Sequence, residues 1–149
     1  MSKYTESIGV KLNNLLEKTY DAEKGYKKAA ENTDHNTLKP YFSKRSEERN
    51  NFGRELKAEI LQFGEEPEKG GSIMGSAHRA WMDTKAFFSD EDAESMLEES
   101  IRGEKAAVNE YEEVLKDKLL PPSTASLLNK QMNSIKSDLK TIQFLEDIS

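Results

Sequence analysis

The sequence has no cysteine, no long apolar run and no excess of positive charge. Without cysteine the chain can form no disulfide bond, no zinc–thiolate site and no thiol nucleophile, which fits a reducing compartment. No stretch approaches the roughly 20 apolar residues that a membrane-spanning helix needs, and the N-terminus lacks the apolar region of a signal peptide. We therefore expect a cytoplasmic protein with no membrane partner.

Charges of both signs alternate along the chain and sum to a net charge of -6. Nucleic-acid binding depends on clustered lysine and arginine side chains that neutralise phosphates, so nucleic acid is not an expected partner. The sequence also lacks a glycine-rich phosphate loop, a nucleophile elbow and a Ser-His-Asp order. No catalytic residue is predicted, and the absence of these motifs favours a protein that is not an enzyme.

Glycine and proline are scarce, at 8 and 4 residues, and they cluster at few positions. Between those positions apolar residues recur every three or four residues, the spacing of an amphipathic helix with one narrow apolar face. The predicted helices span residues 7–31, 38–64, 89 to about 119, and 123 to the C-terminus. Narrow apolar faces on long helices have to be buried against each other, which predicts an all-α four-helix bundle forming one domain over residues 1–149.

The connections between the helices differ in length. Short links join the first helix to the second and the third to the fourth, which predicts two antiparallel pairs. The middle connection is longer and predicts a crossover that carries a short helix over residues 73–88. Its aromatic residues either cover the bundle or, as the alternative, form with His78, Arg79 and Trp81 a docking segment for another protein.

A few polar residues interrupt the apolar faces where side chains project into the bundle. Glu104 lies on the face of the third helix, and Arg45 and Arg49 lie on that of the second. A buried carboxylate needs a partner and a guanidinium stays charged when buried, so we expect Glu104 to pair with Arg49 or Arg45. The predicted polar core comprises Thr19, Tyr26, Arg45, Arg49, Glu104 and Tyr111. The alternative is an altered metal site around Glu104 and Glu48.

Three segments resemble a group of uncharacterised bacterial four-helix-bundle proteins, the domain of unknown function 2383, of the ferritin-like superfamily. They are residues 21–31 (DAEKGYKKAAE), residues 78–83 (HRAWMD) with Lys85, and residues 103–107 (GEKAA) leading to Tyr111. The resemblance covers nearly the whole chain. It implies a ferritin-like bundle more firmly than an activity, and it implies a stress-associated role.

Ferritin-like di-iron proteins use one glutamate on each of two helices and a Glu-x-x-His pair on each of the other two. Glu104 matches the single glutamate of the third helix, but Thr19 stands at the equivalent position of the first. Glu48 is followed by Asn51 where the family pattern has histidine. The fourth helix offers only Ser134, Ser137 and Asp138.

No cofactor is therefore expected. Iron or another divalent metal is the alternative, through a shifted site that could use Asp21, Glu23 or Asp138. The two histidines, His35 and His78, lie outside the apolar faces of the helices, so a site in the bundle centre is not expected to use them.

Two functional hypotheses follow. The first is a non-enzymatic ferritin-like bundle that lacks a complete di-iron site and acts as a homodimer or with a protein partner. The second is a metal-binding or weak ferroxidase-type protein with an atypical carboxylate site around Glu104 and Glu48. The fixed positive charges of Arg45 and Arg49 favour the first hypothesis, because they repel a metal cation.

Overall fold

The computed structural model describes residues 3–34, 36–64 and 93–148, and every regular element within them is an α-helix. Helix α1 spans Lys3–Asn32, α2 Leu38–Gln62, α3 Ala93–Leu115 and α4 Pro122–Ile148. The predicted all-α, four-helix fold is confirmed. Among the described residues, no helix combines the length and apolar character that crossing a membrane requires.

Two helix ends differ from their predicted positions. Helix α1 begins at Lys3, ahead of residue 7, since no glycine or proline interrupts the residues before it. Helix α3 ends at Leu115 and not near Leu119. The carboxylate of Asp117 accepts a hydrogen bond from the backbone N–H of Leu119 at 2.9 Å, and this local bond competes with continuation of the helix.

Helix α2 ends beside a glycine in the left-handed region. Gly64 has a φ of 76°, which a residue without a Cβ adopts without steric penalty. Its backbone N–H donates to the carbonyl oxygen of Leu61 at 3.0 Å, so the last turn satisfies one of its open carbonyl groups. The end of α2 therefore lies close to the predicted position at residue 64.

Side-chain contacts define the directions of the helices. The start of α1 meets the end of α3, where Nζ of Lys11 donates to Oδ2 of Asp117 at 2.8 Å. The end of α2 meets the start of α4, where the hydroxyl of Thr124 donates to Oε1 of Glu59 at 3.1 Å. The first contact makes α1 antiparallel to α3, and the second makes α2 antiparallel to α4.

Helix α1 is also antiparallel to α2. The hydroxyl of Ser46 donates to the backbone carbonyl oxygen of Glu23 at 3.0 Å, while Gly53, further along α2, lies against Leu16, earlier on α1. The end of α2 and the start of α3 lie at opposite ends of the bundle, as a crossover requires.

The predicted crossover helix at residues 73–88 lies outside the described residues. The same holds for its candidate docking residues His78, Arg79 and Trp81, and for His35 in the turn before α2. These assignments stay predictions.

The buried side chains form two apolar clusters, one toward each end of the bundle. The larger cluster includes Leu12, Leu16, Phe52, Leu56, Val108, Leu128 and Ile135. The second cluster includes Tyr26, Phe42, Met96, Leu97 and Ile142. Along α2, α3 and α4, the change from one cluster to the other falls at the buried polar residues Arg49, Glu104 and Asp138. The bundle therefore contains a charged layer between two apolar layers.

Candidate functional site

A buried ion pair joins α2 to α3 where the two apolar clusters meet. Arg49 donates a hydrogen bond from Nη2 to Oε1 of Glu104. The exposed fraction is 2% for Arg49 and 0% for Glu104, so water does not screen the attraction between them. Both residues continue the apolar face of their own helix, which directs their side chains toward the bundle centre.

Two further carboxylates and a second guanidinium extend this pair. Glu48 accepts a hydrogen bond from Nη1 of Arg49 at 3.0 Å and another from Nη1 of Arg45 at 3.1 Å. Nη1 of Arg45 also donates to Oδ1 of Asp138 on α4. We call Asp138, Arg45, Glu48, Arg49 and Glu104 the ion-pair chain. Its charges alternate in sign, and it links α2 to both α3 and α4.

Aromatic rings flank both guanidinium groups. The guanidinium carbon of Arg49 lies 5.8 Å from the ring centroid of Tyr26 and 5.7 Å from that of Phe52. That of Arg45 lies 5.3 Å from the ring centroid of Tyr41. Ring faces attract cations, so these contacts help to hold the guanidinium groups in a layer that is largely shielded from water.

The remaining predicted core residues make separate hydrogen bonds. The hydroxyl groups of Tyr26 and Ser100 lie 3.0 Å apart. Tyr111 donates to Oε1 of Gln131 at 2.6 Å. Thr19 donates to the backbone carbonyl oxygen of Leu15 in its own helix at 2.7 Å. The polar core thus consists of the ion-pair chain and several smaller contacts around it.

Burial shifts the pKa of several of these groups. It raises the pKa of the Glu104 carboxyl above its ordinary value, and the positive charge of Arg49 opposes that rise. Burial alone would lower the pKa of Arg49, but the nearby carboxylate of Glu104 raises it, so the guanidinium stays charged. Burial also raises the pKa of Tyr26, and it raises the pKa of Tyr111 to about 12. Both phenol groups are therefore protonated at neutral pH and can donate hydrogen bonds.

Ferritin-like proteins of the di-iron type hold two metal ions between their helices, and the described side chains of this chain do not fit such a centre. Within the described residues, no three His, Asp or Glu side chains are grouped so that they could hold a metal ion. Glu104 is bonded to a guanidinium, and the hydroxyl of Tyr26 also acts on its carboxyl and opposes the rise of its pKa, while its second oxygen, Oε2, is buried with no hydrogen bond of normal length among the described groups. Thr19 is bonded to its own helix, and Asn51 is exposed.

The residues considered for a shifted metal site lie in the structure as follows: two of them make hydrogen bonds to side chains of α2, and the third is buried. Oε2 of Glu23 accepts a hydrogen bond from Nδ2 of Asn50 at 3.1 Å. Asp138 is bonded to Arg45, and Asp21 is buried. On α4, Ser134 is half-buried and Ser137 is exposed.

Sequence reasoning missed several buried polar residues, among them Gln131, Glu59 and Thr124. Gln131 on α4 is fully buried, and its Nε2 donates to Oε1 of Glu55 at 3.1 Å. Glu59 and Thr124 form the contact between α2 and α4 described above. Gln131 and Glu59 could both have been found, because Gln131 lies at helical spacing from Leu128 and Ile135, and Glu59 lies at the same spacing from Leu56 and Phe63.

Comparisons with known proteins bear on the family and the fold. The family described as Domain of unknown function (DUF2383) matches residues 7–117 of this chain. No curated protein matches the sequence. Among solved structures, a dodecameric thioferritin, the bacterioferritin-related protein from Bacteroides fragilis, is similar with a TM-score of 0.74. The two are 16% identical, and the similarity covers 97% of this chain and 87% of that chain, which confirms the predicted ferritin-like fold.

Proposed function

The chain belongs to the family described as Domain of unknown function (DUF2383), and we propose that it is a non-enzymatic ferritin-like bundle that acts through protein contacts. The observation that supports this is the ion pair between Arg49 and Glu104. In a ferritin-like metal site such a glutamate faces the metal from within the bundle. Here it faces the fixed positive charge of Arg49. That charge repels a metal cation strongly, because water does not screen charges in this buried layer.

Metal content tests this proposal. The protein is purified without a metal-affinity step, exposed anaerobically to ferrous iron, desalted and subjected to elemental analysis. We expect no stoichiometric iron, and the same result for Glu104→Gln, which keeps the size of the side chain but removes its negative charge. Near-stoichiometric iron that disappears in Glu104→Gln would contradict the proposal.

The second candidate function is a metal-binding or weak ferroxidase-type activity. It is favoured by one observation, the buried Oε2 of Glu104 that has no hydrogen bond of normal length among the described groups. It predicts oxygen uptake on addition of ferrous iron, and loss of that uptake in Glu104→Gln. Because Arg49 already occupies the other oxygen of Glu104, we rank this function below the first.

Self-association is the protein contact that we propose first. The thioferritin that shares the fold is dodecameric. On this chain the large apolar side chains of Val10, Leu61 and Leu119 are exposed by 55%, 61% and 62%. Exposed apolar side chains are typical of surfaces that contact another protein. A homodimer is the simplest such assembly.

Sedimentation velocity tests the assembly. We expect a species heavier than the 16.9 kDa chain, and a shift toward monomer in Leu61→Gln and Leu119→Gln. Lys136→Gln, an exposed change on α4, is the matched control and should leave the distribution unchanged. A wild-type protein that stays monomeric at high concentration would contradict self-association.

A stress-associated role completes the proposal, and its support is the family resemblance. We expect the amount of this protein in the cell to rise under stress, which quantitative mass spectrometry measures. An amount that stays constant across heat, oxidative and osmotic stress would contradict that role.

A further inference from the structure

Arg49 lies between two carboxylates of different helices. Its Nη1 donates to Oε1 of Glu48 on α2 at 3.0 Å, and its Nη2 donates to Oε1 of Glu104 on α3. One planar guanidinium is therefore bonded to two carboxylates, one on α2 and one on α3. Metal ions in four-helix bundles are held in the same manner, by carboxylates that project inward from facing helices.

We propose that the guanidinium of Arg49 is the resident cation of this bundle, and that truncating it turns Glu48 and Glu104 into a binding site for a divalent cation. The inference rests on the proposed function, because it requires that the wild-type site is closed to metal. It goes further by assigning to one side chain the charge that a metal ion would otherwise supply.

The burial of the two carboxylates supports this role. With alanine at position 49, Glu104 would remain in a place that is 0% exposed, without the guanidinium that neutralises it. A buried carboxylate in that position is unstable until a cation or a proton joins it. The truncated side chain also leaves the space of the guanidinium, which in the wild-type protein lies between the two carboxylates, and water can complete the coordination of a small cation there.

Mn²⁺ is the suitable probe. Carboxylate and water oxygens are the ligands that this hard cation prefers, and its electron paramagnetic resonance signal changes on binding. Arg45 remains bonded to Glu48 in the variant and keeps one positive charge nearby. We therefore expect weak binding, with a Kd of about 0.1–1 mM, the range of the weakest protein Ca²⁺ sites built from oxygen ligands.

The experiment compares wild-type protein with Arg49→Ala, with Arg49→Ala/Glu104→Ala, and with Arg54→Ala, which truncates an exposed arginine of the same helix. Thermal unfolding is followed by circular dichroism at a pH of about 8, where protons compete less with the metal for the carboxylates. At about ten times Kd, Mn²⁺ should raise the Tm of Arg49→Ala by about 4 °C. The other three proteins should show no shift.

Paramagnetic resonance supplies the second readout. Free Mn²⁺ should decrease by one equivalent in the presence of Arg49→Ala and not in the presence of the double variant. If Arg49→Ala is unfolded without metal, Mn²⁺ should restore its helical circular dichroism.

An Arg49→Ala protein that neither binds Mn²⁺ nor gains helix or Tm from it would overturn the inference and leave the proposed function standing. A wild-type protein that binds Mn²⁺ in a manner dependent on Glu104 would overturn both, since the site would then be open despite Arg49. The two failures are therefore distinguishable.

Discussion

Replacement of Arg49 by methionine removes the guanidinium that is bonded to Glu104 while keeping an apolar side chain of similar length. Glu104 then remains buried without the guanidinium that was bonded to it. Breaking a buried ion pair in this way lowers the free energy of unfolding by about 3–5 kcal/mol. Small domains have a free energy of unfolding of about 5–15 kcal/mol in total. The loss should therefore be large and easily measured.

The partner substitution, Glu104→Leu, should cost less. Arg49 keeps its hydrogen bond of 3.0 Å to Glu48, so its charge remains paired. We expect a loss of about 1–3 kcal/mol, the range for leaving one buried polar group less well satisfied. The double variant Arg49→Met/Glu104→Leu should lie within about 2 kcal/mol of wild type, because apolar side chains can replace a buried ion pair at little cost.

Urea unfolding followed by circular dichroism measures all three variants, and unchanged m values would show that the extent of unfolding is the same. The losses of the single variants should exceed that of the double variant by about 2 kcal/mol or more. Additivity to within about 0.5 kcal/mol would refute the argument, because it would mean that the two side chains do not interact. The exposed pair Glu113 and Lys116, whose charged atoms lie 2.9 Å apart, is the control and should show almost no coupling.

The titration of Glu104 and the hydrogen bond of Tyr111 give two further tests. Burial raises the pKa of Glu104 above its ordinary value of 4.5, so the folded protein binds this proton more tightly than the unfolded chain does. The contribution of this proton to the free energy of unfolding is complete below pH 4.5 and is lost as the pH rises through the raised pKa. The free energy of unfolding of wild type, measured relative to that of Glu104→Gln, should therefore fall over that pH window. If this difference rose with pH instead, the direction of the pKa shift would be contradicted. Tyr111→Phe removes the donor to Oε1 of Gln131 and should lower the free energy of unfolding by about 1–3 kcal/mol, since that buried oxygen loses its partner; an unchanged urea midpoint would show that the bond contributes nothing.

The helices could be predicted from the sequence because their apolar faces repeat with the helical period over many turns. The end of α3 could not, because it depends on one local hydrogen bond between Asp117 and the backbone of Leu119. The period describes the face that a helix buries, and it carries no information about a side chain that competes with the last turn.

The candidate site was predictable in part for the same reason. Glu104 and two arginines stand out in the sequence as charges on apolar faces. Because a buried carboxylate needs a cationic partner, the sequence predicts that they pair. The structure places Arg49 at Glu104 and Arg45 at Asp138, and it makes Glu48 the bridge between them. Which arginine pairs with which carboxylate depends on how the three helices are aligned along the bundle axis. The spacing of residues within one helix gives no information about that alignment.

Anomalous diffraction at the iron edge tests the central claim most directly, on crystals of the wild-type protein soaked anaerobically in ferrous iron. The account predicts electron density for Arg49 bonded to Glu104 and no anomalous peak beside either side chain. A peak within coordination distance of Glu104, with the guanidinium of Arg49 displaced, would contradict it.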